Sequence, residues 1–275
     1  MSNYENYSTT ADNYDSTREA FGYEVILGML CAAPGALHEQ ALLDAGCGTG
    51  NYSAALAPFV GRIEAVDVNE QMLAVARGKF TNRTAGARVN IQLASIDALP
   101  LESASADAAM LNQVLHHLPV QARWAAHARV FHELARVLRS GGLLSINTCS
   151  QEQLTSGFWH YHLAPQASAE IQRRHPSLEV LESLLHAAGF TIKARIVPTS
   201  GVIQGAAYGN VRGPLQAEWR EGDSFWALCE PRELEAAQAR VRQLDAAGEL
   251  EAYAAEHDRH RPSIGQTTFM FAQKR

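Results

Sequence analysis

The chain has 275 residues, of which 47% are hydrophobic and 19% are charged, and its formal net charge at pH 7 is −6. This length suffices for one large domain or for a core domain with a cap, and the composition excludes wholesale disorder. The negative balance would repel a phosphate backbone, which argues against nucleic acid as a partner.

Targeting and membrane signals are not visible in the sequence. The longest nearly apolar stretch, residues 25–37, is interrupted by Gly28 and Pro34 and is too short to span a bilayer. The polar N-terminus lacks the basic segment and apolar run of a secretory signal. We therefore expect a soluble cytoplasmic protein without membrane insertion. Four cysteines are scattered without CxxC spacing, at Cys31, Cys47, Cys149 and Cys229.

Short apolar segments alternate with helical patterns from residue 41 to residue 148. A polar, tyrosine-rich start leads into a predicted helix over residues 17–31. Five strands are predicted, over residues 42–45, 63–68, 89–93, 106–111 and 143–148. Helices are predicted between them, over residues 52–57, 70–79 and 124–138. The last helix has a 3.6-residue apolar period and ends before Gly141-Gly142. This alternation is typical of an α/β fold with a doubly wound parallel sheet.

The pattern loosens after residue 150. A helix over residues 178–188, closed by Gly189, leads into a sixth strand over residues 191–197. A long insertion, residues 199–263, follows it and contains a helix that opens at Pro231 and ends at Gly248. The last strand is predicted over residues 267–272. Because the insertion is too long for a plain loop, we expect it to pack as a cap over the carboxyl edge of the sheet.

The strongest signal is the sequence LLDAGCGTG over residues 42–50. Its three glycines fall at a strand-to-helix turn, where a missing Cβ lets the backbone approach a ligand. A dinucleotide fingerprint would need glycine where Asn51 stands, and the Gly-Lys-Ser/Thr of a phosphate-binding loop is absent. Asp44 would repel a pyrophosphate but would pair with the ammonium of an amino acid. The predicted ligand is a nucleoside with a cationic amino-acid tail.

Two further acids follow the next two strands. Asp67 ends the second strand, 19 residues after Gly48, close to the spacing of the acid that accepts hydrogen bonds from ribose hydroxyls. Asp97 follows the third strand, where its side chain can accept a hydrogen bond from the exocyclic amine of adenine. Both acids agree with a nucleoside at the carboxyl edge.

At this point the sequence resembles the class I S-adenosylmethionine-dependent methyltransferases, in particular the small-molecule branch that includes the ubiquinone/menaquinone methyltransferases. The resemblance covers residues 41–148, with a looser echo in Tyr14-Asp15 and Arg18. Five segments carry it: DAGCGTG at 44–50, VDVNEQML at 66–73, ASIDALP at 94–100, NQVLHHL at 112–118 and LARVLRSGGLL at 134–144. It implies a Rossmann-like seven-stranded sheet whose last strand is antiparallel, with S-adenosyl-L-methionine as the cofactor.

The resemblance also implies where the cofactor contacts lie. Asp67 would bind the ribose, and Ile96 and Asp97 would bind the adenine. The methionine and sulfonium part would lie against Asp44, Gly46, Asn112 and Gln113. Other expected cofactor contacts are Tyr14, Arg18, Cys47, Gly48, Val68, Met72, Ser95 and His117.

Methyl transfer requires alignment of the nucleophile, the methyl carbon and the leaving sulfur, exclusion of water and, for some acceptors, removal of a proton. His116 and His117 follow the fourth strand, where the family has the floor of its active site. An imidazole there can deprotonate a hydroxyl or a thiol near neutral pH, so we expect these two residues to be catalytic. In the alternative, one of the rings only packs and hydrogen-bonds within the turn.

Two aromatic segments are candidates for the acceptor pocket, residues 158–162 and residues 219–226. Their rings can stack on a flat substrate, and Arg220 can bind a carboxylate; alternatively, the aromatic residues plug the cap onto the core. The candidate acceptor-binding residues are Trp159, His160, Tyr161, Trp219, Arg220 and Trp226. Because the histidines of this region lack a placed carboxylate, no metal site is predicted.

The sequence thus predicts a methyltransferase with a small-molecule acceptor. It is divided into an N-terminal lid over residues 1–37, a cofactor-binding core over residues 38–150 and a substrate-cap region over residues 151–275. Two alternatives stay open: an arsenite methyltransferase that uses Cys149 and Cys229, and a non-catalytic S-adenosylmethionine-binding module.

Two other functions are disfavoured. Methylation of a nucleic-acid base would require a Pro-Pro-aromatic sequence after Asn112, whereas Gln113-Val114-Leu115 follows it. A nicotinamide oxidoreductase is disfavoured by Asn51 and by the acid at Asp44.

Overall fold

A computed structural model describes residue 15, residues 18–81 and residues 86–275. The strands within these ranges form one seven-stranded sheet in the order β3-β2-β1-β4-β5-β7-β6. They are Ala41–Ala45 (β1), Arg62–Asp67 (β2), Arg88–Leu93 (β3), Ala106–Asn112 (β4), Leu138–Thr148 (β5), Phe190–Ile196 (β6) and Thr268–Lys274 (β7). Strands β1 to β5 pair in parallel, whereas β7 is antiparallel to both β5 and β6. The predicted seven-stranded α/β sheet with an antiparallel last strand is confirmed.

Five of the described helices pack on the two faces of this sheet. They are Tyr23–Leu30 (α1), Asn51–Leu56 (α2), Glu70–Phe80 (α3), Gln121–Val137 (α4) and, after β5, Leu178–Ala187 (α7). Because successive strand residues point to opposite faces, Leu43 packs in the cluster of Phe131 from α4, whereas Leu42 packs in the cluster of Leu30 from α1. Strand β1 is therefore buried along its whole length.

The remaining helices form a cap with a hydrophobic core of its own. They are Gln151–Ser156 (α5), Pro165–Arg174 (α6), Ala217–Glu221 (α8), Pro231–Ala246 (α9), Leu250–Asp258 (α10) and Arg261–Ile264 (α11). Trp159, Trp219 and Trp226 are each at most 5% exposed and share one cluster with Val241 of α9. None of the described helices has both the length and the apolar character needed to cross a membrane.

Two predicted boundaries are wrong, and glycines explain both. Helix α4 ends at Val137 and β5 already begins at Leu138, so Gly141 and Gly142 lie inside a strand. A Cβ on Gly142 would lie 2.9 Å from the Arg139 carbonyl oxygen and 3.1 Å from that of Asp107, at an irregular place in the β4–β5 pairing. Helix α1 begins at Tyr23 because Gly22, with φ of 73°, interrupts the helical backbone before it.

Candidate active site

A cleft with about 940 Å³ of empty space, part of it open to solvent, lies at the carboxyl ends of β1, β4 and β5. The glycine turn after β1, the segment after β4 and the cap all contribute to its walls. The residues singled out from the sequence that line it include Arg18, Asp44, Gly46, Cys47, Gly48, Asn112, Gln113, His116, His117, Cys149 and Tyr161. The fold thus brings together residues that are up to 143 positions apart in the sequence, as Arg18 and Tyr161 are.

The glycine turn has a left-handed backbone that leaves little choice of residue. Gly46 has φ of 81°, and a Cβ there would lie 2.6 Å from Cγ2 of Val114. Gly48 has φ of 52°, and a Cβ there would meet nothing within 4 Å. The first glycine therefore allows close packing, while the second leaves open space beside the cleft where a ligand can approach the backbone.

Asp67 holds this turn in place. Its carboxylate accepts hydrogen bonds from the backbone N–H of Gly48 and of Asn69, both at 2.9 Å. Burial nevertheless raises the pKa of Asp67 above its usual range. Asp67 does not line the cleft, but a carboxylate with two oxygens has further acceptor positions beyond these two bonds.

Asp44 lies at the bottom of the cleft and is only 1% exposed. Burial raises the pKa of Asp44 to about 7, and the nearby charge of Asp67 also acts to raise it. The hydrogen bond that Ser53 Oγ donates at 2.6 Å acts to lower this pKa but does not outweigh burial. An ammonium group placed here would favour the ionised carboxylate. The residue therefore fits the cationic tail that the sequence predicts.

Asn112 gives a second indication that a polar ligand belongs in the cleft. Both polar atoms of its side-chain amide are buried and have no hydrogen-bond partner among the described residues. An unsatisfied buried amide is costly, and a cleft-lining one can be satisfied by a bound molecule. Together with Asp44 and the open space at Gly48, it makes the cleft fit the amino-acid portion of S-adenosylmethionine.

The residues expected at the adenine lie outside the cleft wall. Ser95 Oγ donates a hydrogen bond to Oδ1 of Asp97 at 2.5 Å, which lowers the pKa of that carboxyl, and Ile96 is buried. Met72 packs in the protein core at 3% exposure. Val68, by contrast, is 38% exposed directly after β2, so its apolar side chain is accessible to a ligand.

The cleft floor after β4 is built on a strained residue. Gln113 has φ of 55°, and its side-chain amide donates to Oδ1 of Asn147 at 3.1 Å and to Oγ1 of Thr267 at 3.0 Å. Its Oε1 accepts from the thiol of Cys149 at 3.8 Å. These bonds hold an L-residue in the left-handed region, a form of strain that is common at functional sites.

Three histidine rings, His116, His117 and His175, form a histidine stack in the cleft wall. The ring centroids of His116 and His117 are 4.0 Å apart, and those of His116 and His175 are 4.6 Å apart. Burial lowers the pKa of His117 to about 3, that of His175 to about 4 and that of His116 well below its usual value. The rings are therefore neutral near physiological pH.

Of the six candidate acceptor-binding residues, Tyr161 lines the cleft. Its ring stacks between Phe158, at 4.5 Å, and Phe225, at 3.9 Å. The other five lie in the cap beyond the cleft wall, where Trp159 Nε1 and Trp219 Nε1 donate to backbone carbonyls. These five are Trp159, His160, Trp219, Arg220 and Trp226, an arrangement that matches the alternative of an aromatic plug.

A buried chain of charges joins the N-terminal segment to the cap. The carboxylate of Asp223 lies 3.5 Å from a guanidinium nitrogen of Arg18 and 3.2 Å from Nε2 of His160. Arg18 also donates from Nε to the carbonyl oxygen of Gly222 at 2.5 Å. Burial acts to raise the pKa of Asp223, but the hydrogen bond with His160 and the charge of Arg18 together hold it below its usual value. Tyr14, the other expected lid residue, lies outside the described residues.

Cys149 and Cys229 belong to the same hydrophobic cluster of the cap, but only Cys149 of these two lines the cleft. Cys149 lines the cleft, whereas Cys31 is exposed at the end of α1 and Cys229 is half-buried in the cap. Burial raises the pKa of Cys149 and of Cys229 to about 12, so both thiols keep their protons. This arrangement gives the arsenite alternative no support, because a thiophilic ion is bound by thiolates.

The cleft residues missed from the sequence include His175, Asp223 and Ser224. The hydroxyl of Ser224 lies 3.4 Å from Nε2 of His116. Asp223 and Ser224 lie inside the aromatic segment at residues 219–226, where a charged residue between aromatic residues could have indicated a functional position. His175 stands between α6 and Pro176 with no motif around it.

Comparison with known proteins identifies the part of the chain that builds this site. A family model described as a methyltransferase domain matches residues 43–146. A probable S-adenosylmethionine-dependent methyltransferase of Mycobacterium tuberculosis is 38% identical over 117 residues, which are 42% of this chain and 38% of that protein. Residues 43–146 are a methyltransferase domain that is similar to those of S-adenosylmethionine-dependent methyltransferases. The expected family and its cofactor are thereby confirmed.

Two further relatives agree with this methyltransferase domain. The ubiquinone/menaquinone biosynthesis C-methyltransferase of Klebsiella pneumoniae is 25% identical over 185 residues, which are 60% of this chain and 71% of that one. A crystal structure of a candidate methyltransferase from an antibiotic biosynthesis pathway of Anabaena variabilis has a TM-score of 0.70 at 20% identity, covering 90% of this chain and 96% of that one. The matched segment spans less than half of the mycobacterial relative's length.

Proposed function

We propose that the whole chain is an S-adenosylmethionine-dependent methyltransferase that methylates a small molecule held between the methyltransferase domain and the cap. One observation carries the proposal. The glycine turn, the floor after β4 and the cap line a single cleft, and wall residues such as His116 and Tyr161 are at most 6% exposed. A cleft with buried walls suits a cofactor tail and a compact acceptor better than a macromolecule.

In this proposal the cofactor is held along the carboxyl edge of β1 to β4. S-adenosylmethionine supplies a methyl group on a positively charged sulfur. Asp44 pairs with the ammonium of the amino-acid tail, Asn112 hydrogen-bonds the same portion, and Asp67 accepts from ribose hydroxyls while it holds the turn. The remaining proposed contacts are Gly46, Cys47, Gly48, Gln113 and His117 in the cleft, and Val68, Met72, Ser95, Ile96 and Asp97 towards the adenine.

His116 and His117 are the proposed catalytic residues. Because burial keeps both rings neutral, they add no positive charge beside a sulfonium. A neutral imidazole ring also has one nitrogen that can accept a hydrogen bond. A pKa of about 3 makes His117 a weak base in the free protein. Its proposed role is to orient the acceptor by accepting a hydrogen bond from it.

The proposed division of the chain follows the same geometry. Residues 1–37 act as a lid, residues 38–150 bind the cofactor, and residues 151–275 complete the sheet and form the substrate cap. Arg18 supports the lid role because it reaches across the cleft to Asp223 of the cap.

The proposal is tested in two steps. Calorimetry with S-adenosylhomocysteine measures cofactor binding, and the chain is then incubated with methyl-labelled S-adenosylmethionine and a fractionated cell extract. Label in the small-molecule fraction is the expected result. Label in the RNA or protein fraction would refute the small-molecule acceptor, and binding without any transfer would favour the non-catalytic module.

A variant pair separates acceptor chemistry from cofactor binding. His117→Phe keeps a ring in the histidine stack but removes both nitrogens, so methyl transfer should fall while S-adenosylhomocysteine affinity changes little. Exposed His162, outside the cleft, provides the matched control as His162→Phe. Equal activity of both variants would remove His117 from the proposed catalytic pair.

A further inference from the structure

His175 has one ring nitrogen that is fixed and one that has no partner. Its Nδ1 lies 2.9 Å from the carbonyl oxygen of Ile171. Since a carbonyl can only accept, Nδ1 carries the hydrogen, and in a neutral ring Nε2 then presents a lone pair. Nε2 is buried and has no hydrogen-bond partner among the described residues. The side chain is 4% exposed and lines the cleft.

The position of this ring is set by its surroundings. The backbone N–H of His175 donates to the carbonyl oxygen of Gln172 at 3.2 Å, and Nε2 of Gln151 donates to the carbonyl oxygen of His175 at 2.9 Å. Pro176 follows directly and restricts the backbone before it. The ring itself stacks on His116 with centroids 4.6 Å apart. Nε2 is therefore held at a defined point in the histidine stack.

A second histidine shows why cleft contact matters. His127 is also fully buried, with Nε2 on the carbonyl oxygen of Leu115 and Nδ1 without a partner among the described residues. His127 does not line the cleft, so a ligand cannot satisfy its free nitrogen. His175 differs in this single respect, since a bound molecule can reach its side of the cleft.

The charges and apolar surface nearby limit what this molecule can be. A carboxylate would place a second acceptor against the Nε2 lone pair. Arg18 and Arg174 both lower the pKa of His116, although Asp223 and Glu170 pair with their guanidinium groups, so a cation directly beside the histidine stack is disfavoured. Leu154, Phe158 and Ile171 line the same cleft and suit an uncharged carbon body.

We propose that His175 determines acceptor specificity by accepting, at Nε2, a hydrogen bond from a hydroxyl group on an uncharged, largely apolar acceptor. This inference rests on the proposed function and names the substrate class of the same cleft. His175 binds and orients the hydroxyl, and in that role no proton is transferred to or from its neutral ring.

Two variants separate the cleft nitrogen from the structural one. In His175→Asn the side-chain amide can still donate to Ile171 while nothing occupies the Nε2 position. In His175→Gln the longer side chain places an amide oxygen near the Nε2 position. Exposed His162→Asn, outside the cleft, is the matched control. All are made in the full chain.

The probes are para-fluorophenol, para-fluorotoluene, para-fluorobenzoate and para-fluorobenzylammonium, titrated by fluorine NMR with and without saturating S-adenosylhomocysteine. One neutral hydrogen bond corresponds to a preference of about three- to tenfold, so the wild type should bind the phenol that much more tightly than the toluene. The preference for the phenol over the toluene should disappear in His175→Asn and persist in His175→Gln and in the control. The wild type should also bind the phenol more tightly than either charged probe.

Other results would overturn the inference. These are an undiminished phenol preference in His175→Asn, tighter binding of benzoate or benzylammonium, and the absence of measurable phenol binding to the wild type. Calorimetry with S-adenosylhomocysteine is run on each variant as a separate readout. Failure of the wild type to bind it would refute the proposed function, while the titrations without it still report on His175.

Discussion

Replacing Gly46 by alanine tests what fixes the glycine turn. The new Cβ meets two costs, since φ is 81° and the Cβ would lie 2.6 Å from Cγ2 of Val114. Left-handed backbone costs an L-residue about 1–2 kcal/mol, and forcing a methyl group into a packed site adds about 1–3 kcal/mol. The free energy of unfolding should therefore fall by roughly 2–5 kcal/mol.

Gly48→Ala is the matched comparison within the same turn. Its φ of 52° carries the backbone cost, but a Cβ there meets nothing within 4 Å. The expected loss is about 1–2 kcal/mol. The difference between the two variants isolates the contact with Val114, and making Gly46→Ala in a Val114→Ala background should remove most of that difference.

Urea-induced unfolding, followed by circular dichroism, measures all five proteins: the wild type, the two glycine variants, Val114→Ala and the double variant. The slope of free energy against denaturant should stay constant across the set, so that midpoints report stability directly. If Gly46→Ala costs no more than Gly48→Ala, or if Val114→Ala does not lessen its cost, the steric account of the turn is refuted.

Three further predictions follow from the buried charges. The free energy of unfolding should fall between pH 6.5 and about 4, because the unfolded chain takes up protons on histidines such as His117 and His175 that the fold keeps neutral. Asp44, with its pKa raised to about 7, acts in the opposite direction, because the folded protein binds its proton more tightly than the unfolded chain. Because His175→Asn removes one of the histidines that take up a proton on unfolding, it should make the pH dependence of the unfolding free energy shallower by up to one proton. Denaturation at several pH values measures this slope, and an unchanged slope would contradict the prediction. Asp67→Asn should weaken S-adenosylhomocysteine binding about tenfold by calorimetry, since a charge-assisted bond is worth about 1.5–3 kcal/mol; wild-type affinity would place the ribose elsewhere. Arg18→Gln should leave Asp223 with less compensating charge and increase proteolytic cleavage of the N-terminal segment, whereas the exposed Arg77→Gln should not.

The methyltransferase domain could be predicted well because its signals are local. Each of strands β1 to β4 is a short apolar run followed by a turn, and the acids at Asp44 and Asp67 fall at strand ends that the alternation alone locates. The errors were also local in origin. Gly141-Gly142 resembles a helix stop, but its position in β5 depends on contact with Asp107, which no short-range pattern shows.

The acceptor side could not be predicted in the same way. The cap is built from short helices and 3₁₀ turns, such as Trp159–Leu163 and Gly213–Leu215, whose hydrophobic residues have no clear period. Its key contacts join distant positions, as Asp223 does with Arg18. Aromatic residues therefore signalled a pocket in the correct segments, while the folded arrangement decided that Tyr161 faces the cleft and Trp219 faces the cap core.

The insertion of β7 between β5 and β6 has a consequence for how the chain is made. During synthesis β5 and β6 emerge long before the strand that joins them, so each has an unpaired edge until Thr268–Lys274 arrives. The cleft floor waits for the same segment, because Thr267 donates to Asn147 and accepts from Gln113. A nascent chain that ends before β7 thus lacks both the closed sheet and the support of its cleft floor, although strands β1 to β4 have long been synthesised.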